Sequence, residues 1–193
     1  FGNIIDGDKI IGILALGMKN AGTLRNDKVV TTVMSNIGFE KYLKENNIEL
    51  LRANVGDRNV LEMMQKEDVA IGGEQSGHII LRDYATTGDG ILSSLKLVEV
   101  IRDLHELVTA IKDAPQTLIN VKVDNAKKNT WDKNEKITSF IAEINKKHSD
   151  EVRILVRKSG TEPLIRVMTE GENKQLVHKL AEDIAKLIET ELN

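Results

Sequence analysis

Hydrophobic positions switch between two periods along the chain. Ile10, Ile11, Leu14, Ala15 and Met18 recur at helical spacing and predict a helix that stops at Gly22. The β-branched run Lys28 to Met34 predicts a strand. Gly38 to Asn47 follows as a helix with Phe39, Tyr42 and Leu43 on one face, then Ile48 to Val55 as a strand. Arg58 to Lys66 predicts a short helix with Val60, Leu61 and Met64 inward. Val69 to Ile71 and His78 to Leu81 are short strands flanking a glycine-rich turn. The helical pattern returns at Gly90 with Leu92, Leu95, Val98 and Val100. Asp103 and Glu106 have capping-box spacing and predict a further helix through Ile111. Such alternation points to a three-layer α/β domain around a mixed, mainly parallel sheet.

After Ala114-Pro115-Gln116, which reads as a linker because the residue before proline disfavours helix, the order of elements changes. A strand (Leu118 to Val123), a polar stretch (Asp124 to Asn134) and a helix (Glu135 to Lys147) come first. A strand pair (Val152 to Arg157, Leu164 to Met168) and a last helix carrying Leu176, Val177, Leu180, Ile184, Leu187 and Ile188 complete the chain. That β-α-β-β-α order predicts a smaller, separate α+β domain. The expected division is therefore 1–113 and 116–193.

Composition sharpens this picture. The 193 residues are 40% hydrophobic and 30% charged but only 3% aromatic, so the cores must be built from Ile, Leu, Val and Met. A net charge of -3 gives no basic excess for a nucleic-acid backbone. The absence of cysteine excludes disulfides, thiolate metal sites and a cysteine nucleophile, and goes with a reducing cytoplasm. No apolar run reaches the ~18 residues of a membrane span. The first residue is Phe and not Met, so the chain is expected to be a piece of a longer protein.

Two loops carry chemistry. Gly72-Gly73-Glu74-Gln75-Ser76-Gly77-His78 places a carboxylate, an amide, a hydroxyl and an imidazole among three glycines that permit positive φ and close approach to a ligand. Glu74 can accept hydrogen bonds from adjacent sugar hydroxyls or pair with an ammonium. The alternative is a glycine-rich turn with its polar residues in water. In Arg157-Lys158-Ser159-Gly160-Thr161-Glu162-Pro163 and the following Arg166, two guanidinium groups can hold one phosphate by forked hydrogen bonds; the alternative is a hairpin turn with two solvated arginines. Gly160 would let consecutive N–H groups turn toward the same anion. Glu162 opposes an anion and must turn outward or pair with a cation. A ligand with a polar ring and a phosphate, spanning a cleft between the two domains, would use both loops.

Five segments, in order, carry a family resemblance. They are Thr31 to Phe39, Val55-Gly56-Asp57-Arg58, Gly73 to His78, Thr86-Thr87-Gly88-Asp89-Gly90, and Arg157 to Arg166. The chain resembles the C-terminal part of the bacterial phosphoglucosamine mutases, a branch of the α-D-phosphohexomutase superfamily. The resemblance implies domains 3 and 4 of four, the last related to the TATA-binding-protein fold. It implies interconversion of glucosamine 6-phosphate and glucosamine 1-phosphate through a phosphoserine and a bisphosphate, in the cytoplasm, for UDP-N-acetylglucosamine and peptidoglycan. Glu74, Ser76, His78, Asp57 and Arg58 would line the sugar site, with His78 near the reacting oxygens; Asp57 and Arg58 read equally well as a capped helix start. Arg157, Ser159, Gly160, Thr161 and Arg166 would hold the non-transferring phosphate. Gln75 leans toward the amino-sugar branch, and Lys158 departs from the proline or small residue expected there.

The phosphoserine loop and the three-aspartate Mg²⁺ loop of that family are missing from the chain. The implied partners are thus a phosphosugar and the N-terminal domains 1 and 2, and the fragment alone is expected to be inactive, with neither nucleic acid nor membrane as partner. Asp6-Gly7-Asp8 reads as helix capping and not as a metal motif. His105, His148 and His178 read as surface residues, and Trp131 as a packing anchor. The competing expectations are a phosphomannomutase or phosphoglucomutase of the same superfamily, and a non-catalytic sugar-phosphate-binding module.

Overall fold

The structure, a computed structural model, describes residues 4–101, 108–124 and 126–193. The chain divides into two compact units, Phe1–Asp113 and Ala114–Asn193. The capping box at Asp103 and Glu106, and His105, lie outside the described residues.

In the first unit, α1 (Gly7–Asn20) precedes β1 (Lys28–Thr32), α2 (Ile37–Glu45), β2 (Glu49–Ala53) and α3 (Asp57–Lys66). The hairpin β3 (Ile71–Gly73) and β4 (Ile79–Leu81) follows, then α4 (Gly90–Val100). The sheet order is β2-β1-β3-β4, with β1 parallel to both β2 and β3 and only β4 antiparallel. Alternation along the strands divides the core between two faces. Val29, Ile71, Ile79 and Leu81 pack with α1 and α2 residues such as Ile11, Leu14, Phe39 and Leu43. Val30 and Ile80 point the other way, onto Val60 and Met64 of α3. Helices therefore cover both faces, the three-layer arrangement that the alternating pattern predicts.

Helix starts follow local chemistry. Asp6, Asn36 and Asp89 each accept a hydrogen bond from a first-turn N–H of α1, α2 and α4. The prediction for α4 needs correction. Leu95 and Val98, expected inward, are 62% and 73% exposed, while Leu92, Leu97 and Val100 pack on the core. Apolar residues occur all round this helix, so spacing alone does not choose the buried face.

The second unit runs β5 (Gln116–Lys122), a 3-10 turn (Lys127–Lys133), α5 (Glu135–Lys147), β6 (Val152–Lys158), β7 (Leu164–Gly171) and α6 (Lys174–Leu192). Its antiparallel sheet has β7 in the middle, in the order β5-β7-β6. Ile165 and Val167 of β7 pack with Ile137 of α5 and Ile184 and Ile188 of α6, and Trp131 packs against this cluster. By the two-residue period, Arg157 on β6 and Arg166 on β7 lie on the opposite sheet face, and they pair directly across the strands. One element is invisible to patterning: Glu170 is fully buried and bonds Arg153 at 2.5 Å.

Candidate functional site

In the first unit the loops after the parallel strands gather at the carboxyl ends of β1, β2 and β3, where open α/β sheets bind ligands. The β2–α3 loop brings Gly56 and Asp57, and the β3–β4 hairpin brings Glu74 to His78. Glu74 is largely buried, its side chain 14% exposed, and its Oε1 accepts from the Gly56 N–H at 3.1 Å. His78 Nδ1 lies 3.7 Å from Glu74 Oε2 and 3.9 Å from Asp57 Oδ1. Burial, and then the adjacent Asp57 carboxyl, push the Glu74 carboxyl up, against the Gly56 N–H and the His78 ring. Ser76 and His78 are exposed beside it. Among the described residues, Asp57, Glu74 and His78 are the one group of three or more such side chains whose ligand atoms lie within 4.8 Å of one another.

The remaining sugar-loop predictions divide. Arg58 is not drawn into this group: its guanidinium bonds Glu62, 2.8 Å away on the next turn of α3. Gln75 contributes its backbone, accepting from the Gly7 N–H at 2.9 Å, and its side chain reaches Asp6 at 3.5 Å. The hairpin is thereby seated on the first turn of α1.

The expectation of three permissive glycines is corrected by their surroundings. Only Gly77 takes a positive φ, 102°. Gly72 instead clears Met64 and the Val30 carbonyl, and Gly73 clears its own hairpin and Ile11. A Cβ on Gly7 would strike the Glu74 carbonyl. Gly7→Ala is therefore expected to lower stability by about 2 kcal/mol and to displace the hairpin. Thermal melts, together with amide shifts at residues 74–78, measure both.

In the second unit the β6–β7 turn presents the second loop. Arg157 and Arg166 face each other in register, an arrangement that repels unless an anion intervenes. Arg166 bonds Glu162 at 3.2 Å, so the carboxylate that opposed an anion is paired with a cation. The buried Nε of Arg166 lacks a hydrogen-bond partner. The Arg157 side chain has no hydrogen bond or ion pair among the described residues. Burial, and then Arg166, hold the Arg157 guanidinium below its ordinary range.

Ser159 is 2% exposed and staples the turn: its N–H donates to the Leu164 carbonyl and its Oγ accepts from the Glu162 N–H. Gly160 and Thr161 are exposed at the tip. Gly160 does not adopt a positive φ, and a Cβ there would meet only open space.

Sequence reasoning missed Lys128. This lysine is 8% exposed and donates to the carbonyls of Ser159 and Glu162. Nothing in the polar stretch sets it apart from Lys127 or Lys133. The other flagged residues are peripheral: Asp6 caps α1, His148 bonds Glu151 at 2.7 Å and His178 lies 3.2 Å from Glu182. No helix among the described residues is long and apolar enough to cross a membrane.

Comparisons with known proteins agree on the lineage. Residues 6–118 match the profile of the phosphoglucomutase/phosphomannomutase alpha/beta/alpha domain III, and residues 118–187 that of the C-terminal domain. A phosphoglucosamine mutase of Fusobacterium nucleatum is 85% identical over all of this chain, which spans 44% of that protein. One from Clostridium kluyveri is 47% identical, again over all of this chain and 44% of its own length. The chain thus spans less than half of these curated relatives. The fold of an Aspergillus fumigatus N-acetylphosphoglucosamine mutase bound to glucose 1,6-bisphosphate superimposes with a TM-score of 0.80, at 18% identity, over 99% of this chain and 44% of that one. A complex of the Aspergillus enzyme with GlcNAc-6P and magnesium gives 0.78 at 18% identity, over 96% of this chain and 47% of that one. The sequence matches, over nearly every residue and through both units, establish that this chain belongs to the phosphoglucomutase/phosphomannomutase family and comprises its domain III and C-terminal domain.

Proposed function

We propose that the chain is the recognition part of a phosphoglucosamine mutase, which interconverts glucosamine 6-phosphate and glucosamine 1-phosphate. The observation that carries this reading is the facing pair Arg157 and Arg166, against which the described residues set one carboxylate, Glu162, bonded to Arg166. A phosphate monoester, close to doubly charged at neutral pH, is the chemical complement of that pair. Arg157 and Arg166 hold its oxygens, and Gly160 and Thr161 supply tip donors over the turn that Ser159 staples.

The sugar is recognised at Asp57, Glu74, Ser76 and His78, with Arg58 at the rim. Glu74 and Ser76 bond ring hydroxyls, and His78 stands near the oxygens that exchange the phosphoryl group. Two carboxylates this close are relieved by a cation, so an ammonium substituent on the ring fits better than a hydroxyl. That electrostatic preference and the names of the most similar relatives point to the amino sugar.

The full reaction belongs to the longer protein. A phosphoserine donates its phosphoryl group, and glucosamine 1,6-bisphosphate reorients before returning the other phosphate. The product feeds UDP-N-acetylglucosamine and peptidoglycan synthesis in the cytoplasm. Mg²⁺ neutralises the transferring group, but the residues present here do not fit that ion. Magnesium takes hard oxygen ligands, whereas the one candidate trio among the described residues includes an imidazole. The ion's ligands therefore belong to the domains that precede this chain in its relatives, as does the phosphoserine, and the chain alone does not turn over.

An NMR titration tests the reading. Glucosamine 6-phosphate is expected to shift amides at residues 74–78 and 157–166 and to bind more tightly than glucose 6-phosphate. Glu74→Gln should reduce that preference about tenfold, as one charged contact is lost. A preference for glucose or mannose 6-phosphate would move the assignment to the hydroxy-sugar mutases. Silence at both loops, or mutase turnover by the pure chain, would overturn it.

A further inference from the structure

The 3-10 turn Lys127–Lys133 grips the phosphate loop from behind. Lys128 Nζ donates to the Ser159 carbonyl at 3.1 Å and to the Glu162 carbonyl at 2.9 Å, on either side of the loop's tip. Its neighbour Asn129 accepts from Lys158 Nζ at 2.9 Å. A buried ammonium is costly unless it is bonded and balanced by opposite charge. Lys128 is bonded to carbonyls, yet among the described residues it pairs with no carboxylate. Among the described residues Glu162 pairs with Arg166, while the side chains of Lys128 and Arg157 have no carboxylate partner, so two positive charges remain without a counter-charge. That surplus matches a phosphate monoester, roughly -1.5 to -2 at neutral pH.

Peptide geometry gives the lysine a directional role. The Ser159 carbonyl and the Gly160 N–H belong to one planar trans peptide and so point in opposite directions. A carbonyl held by Lys128 turns the Gly160 N–H away from the ammonium, and that N–H has no partner among the described residues. The ammonium also polarises the peptide along this axis and strengthens the donor at its far end.

We propose that Lys128 is a positioning residue for the substrate phosphate, aiming the Gly160 N–H at the anion and adding a third positive charge behind the loop. The proposal rests on the reading of this loop as a phosphate site. Its test is calorimetric titration of the chain with inorganic phosphate at several salt concentrations. Lys128→Met is expected to bind about tenfold more weakly, with a shallower decline as salt rises. Lys128→Arg should recover most of the loss, and the phosphate-induced shift of the Gly160 amide should shrink in Lys128→Met. Binding by Lys128→Met with unchanged affinity and salt dependence, while Arg157→Ala still loses binding, would overturn the role of Lys128 alone. Absence of phosphate binding by the unaltered chain would overturn the phosphate site itself. Should Lys128→Met fail to fold, the Lys128 Cε resonance of the unaltered chain decides. It should move with phosphate at the same midpoint as the Gly160 amide, and its constancy would refute the proposal.

Discussion

An Arg157→Ala chain is expected to bind inorganic phosphate about 100-fold more weakly than the unaltered chain and yet to melt no lower. The two halves of this expectation have the same cause. Arg157 stands directly across the sheet from Arg166, and like charges in such pairs repel. Burial and Arg166 both disfavour its charged form, and no acidic partner among the described residues offsets them. In the empty chain the side chain is thus an electrostatic burden, and its removal relieves Arg166. With phosphate present the same geometry becomes favourable, because two forked donors converge on one dianion. Arg157→Lys should restore the charge but not the fork, and should fall between the two. Calorimetric titration and a melting curve on the same sample read both effects. Loss of stability equal to loss of binding would make Arg157 a structural residue and remove the argument for the anion site. The Arg157→Ala deficit should exceed that of Lys128→Met, since in the proposed site Arg157 would touch the anion and Lys128 would act through the Gly160 peptide.

Much of this architecture is legible in the sequence because burial and periodicity coincide. Phe39, Tyr42 and Leu43 fall on one face of α2 and are buried there. Val29 and Val30 alternate between the two helical layers as a doubly covered strand must. In α4 the logic fails, because Leu95 and Val98 are as apolar as Leu92 and Val100 and spacing cannot rank two apolar faces. The loops are legible as residue types but not as geometry. That Glu162 must turn outward or pair with a cation follows from its charge; that it pairs with Arg166 requires the hairpin register. The need for glycine at positions 72 and 73 looks like ligand approach in the sequence and proves to be helix and hairpin packing. Lys128 is beyond the reach of patterning, since only the tertiary fold distinguishes one lysine in a polar stretch by burying it against two carbonyls.

The Glu74–His78 hairpin rests on Asp6 and Gly7 at the start of α1, and there a second large effect is expected: the Asp8→Asn chain should be more stable than the unaltered chain at neutral pH. Asp8 is fully buried in the first turn of α1. Its Oδ2 accepts from the Asn36 N–H at 2.8 Å, while Oδ1 is buried without a hydrogen-bond partner. Burial pushes the Asp8 carboxyl up to about 6; the Asn36 N–H, the Ser35 hydroxyl and Arg52 pull down, and Asp6 adds to the rise. A folded-state value above the unfolded one means that folding favours the protonated acid. The corresponding stability is complete below the unfolded value and is lost as pH rises through about 6. A shift of this size corresponds to about 3 kcal/mol at neutral pH. Glu74, also pushed up, acts in the same direction, whereas Asp68 and Glu191, pulled down by their cationic partners, lose their contributions only in more acid solution. The difference between the two chains isolates Asp8 from all three. Asparagine keeps an oxygen for the Asn36 N–H and brings an N–H that can face the Ser35 hydroxyl. Denaturant unfolding across the acid-to-neutral range should give near-equal stabilities at about pH 4 and an advantage of about 3 kcal/mol for Asp8→Asn at about pH 7. A difference that stays constant over that range would show that Asp8 does not titrate within it and would remove burial as the dominant force on its carboxyl.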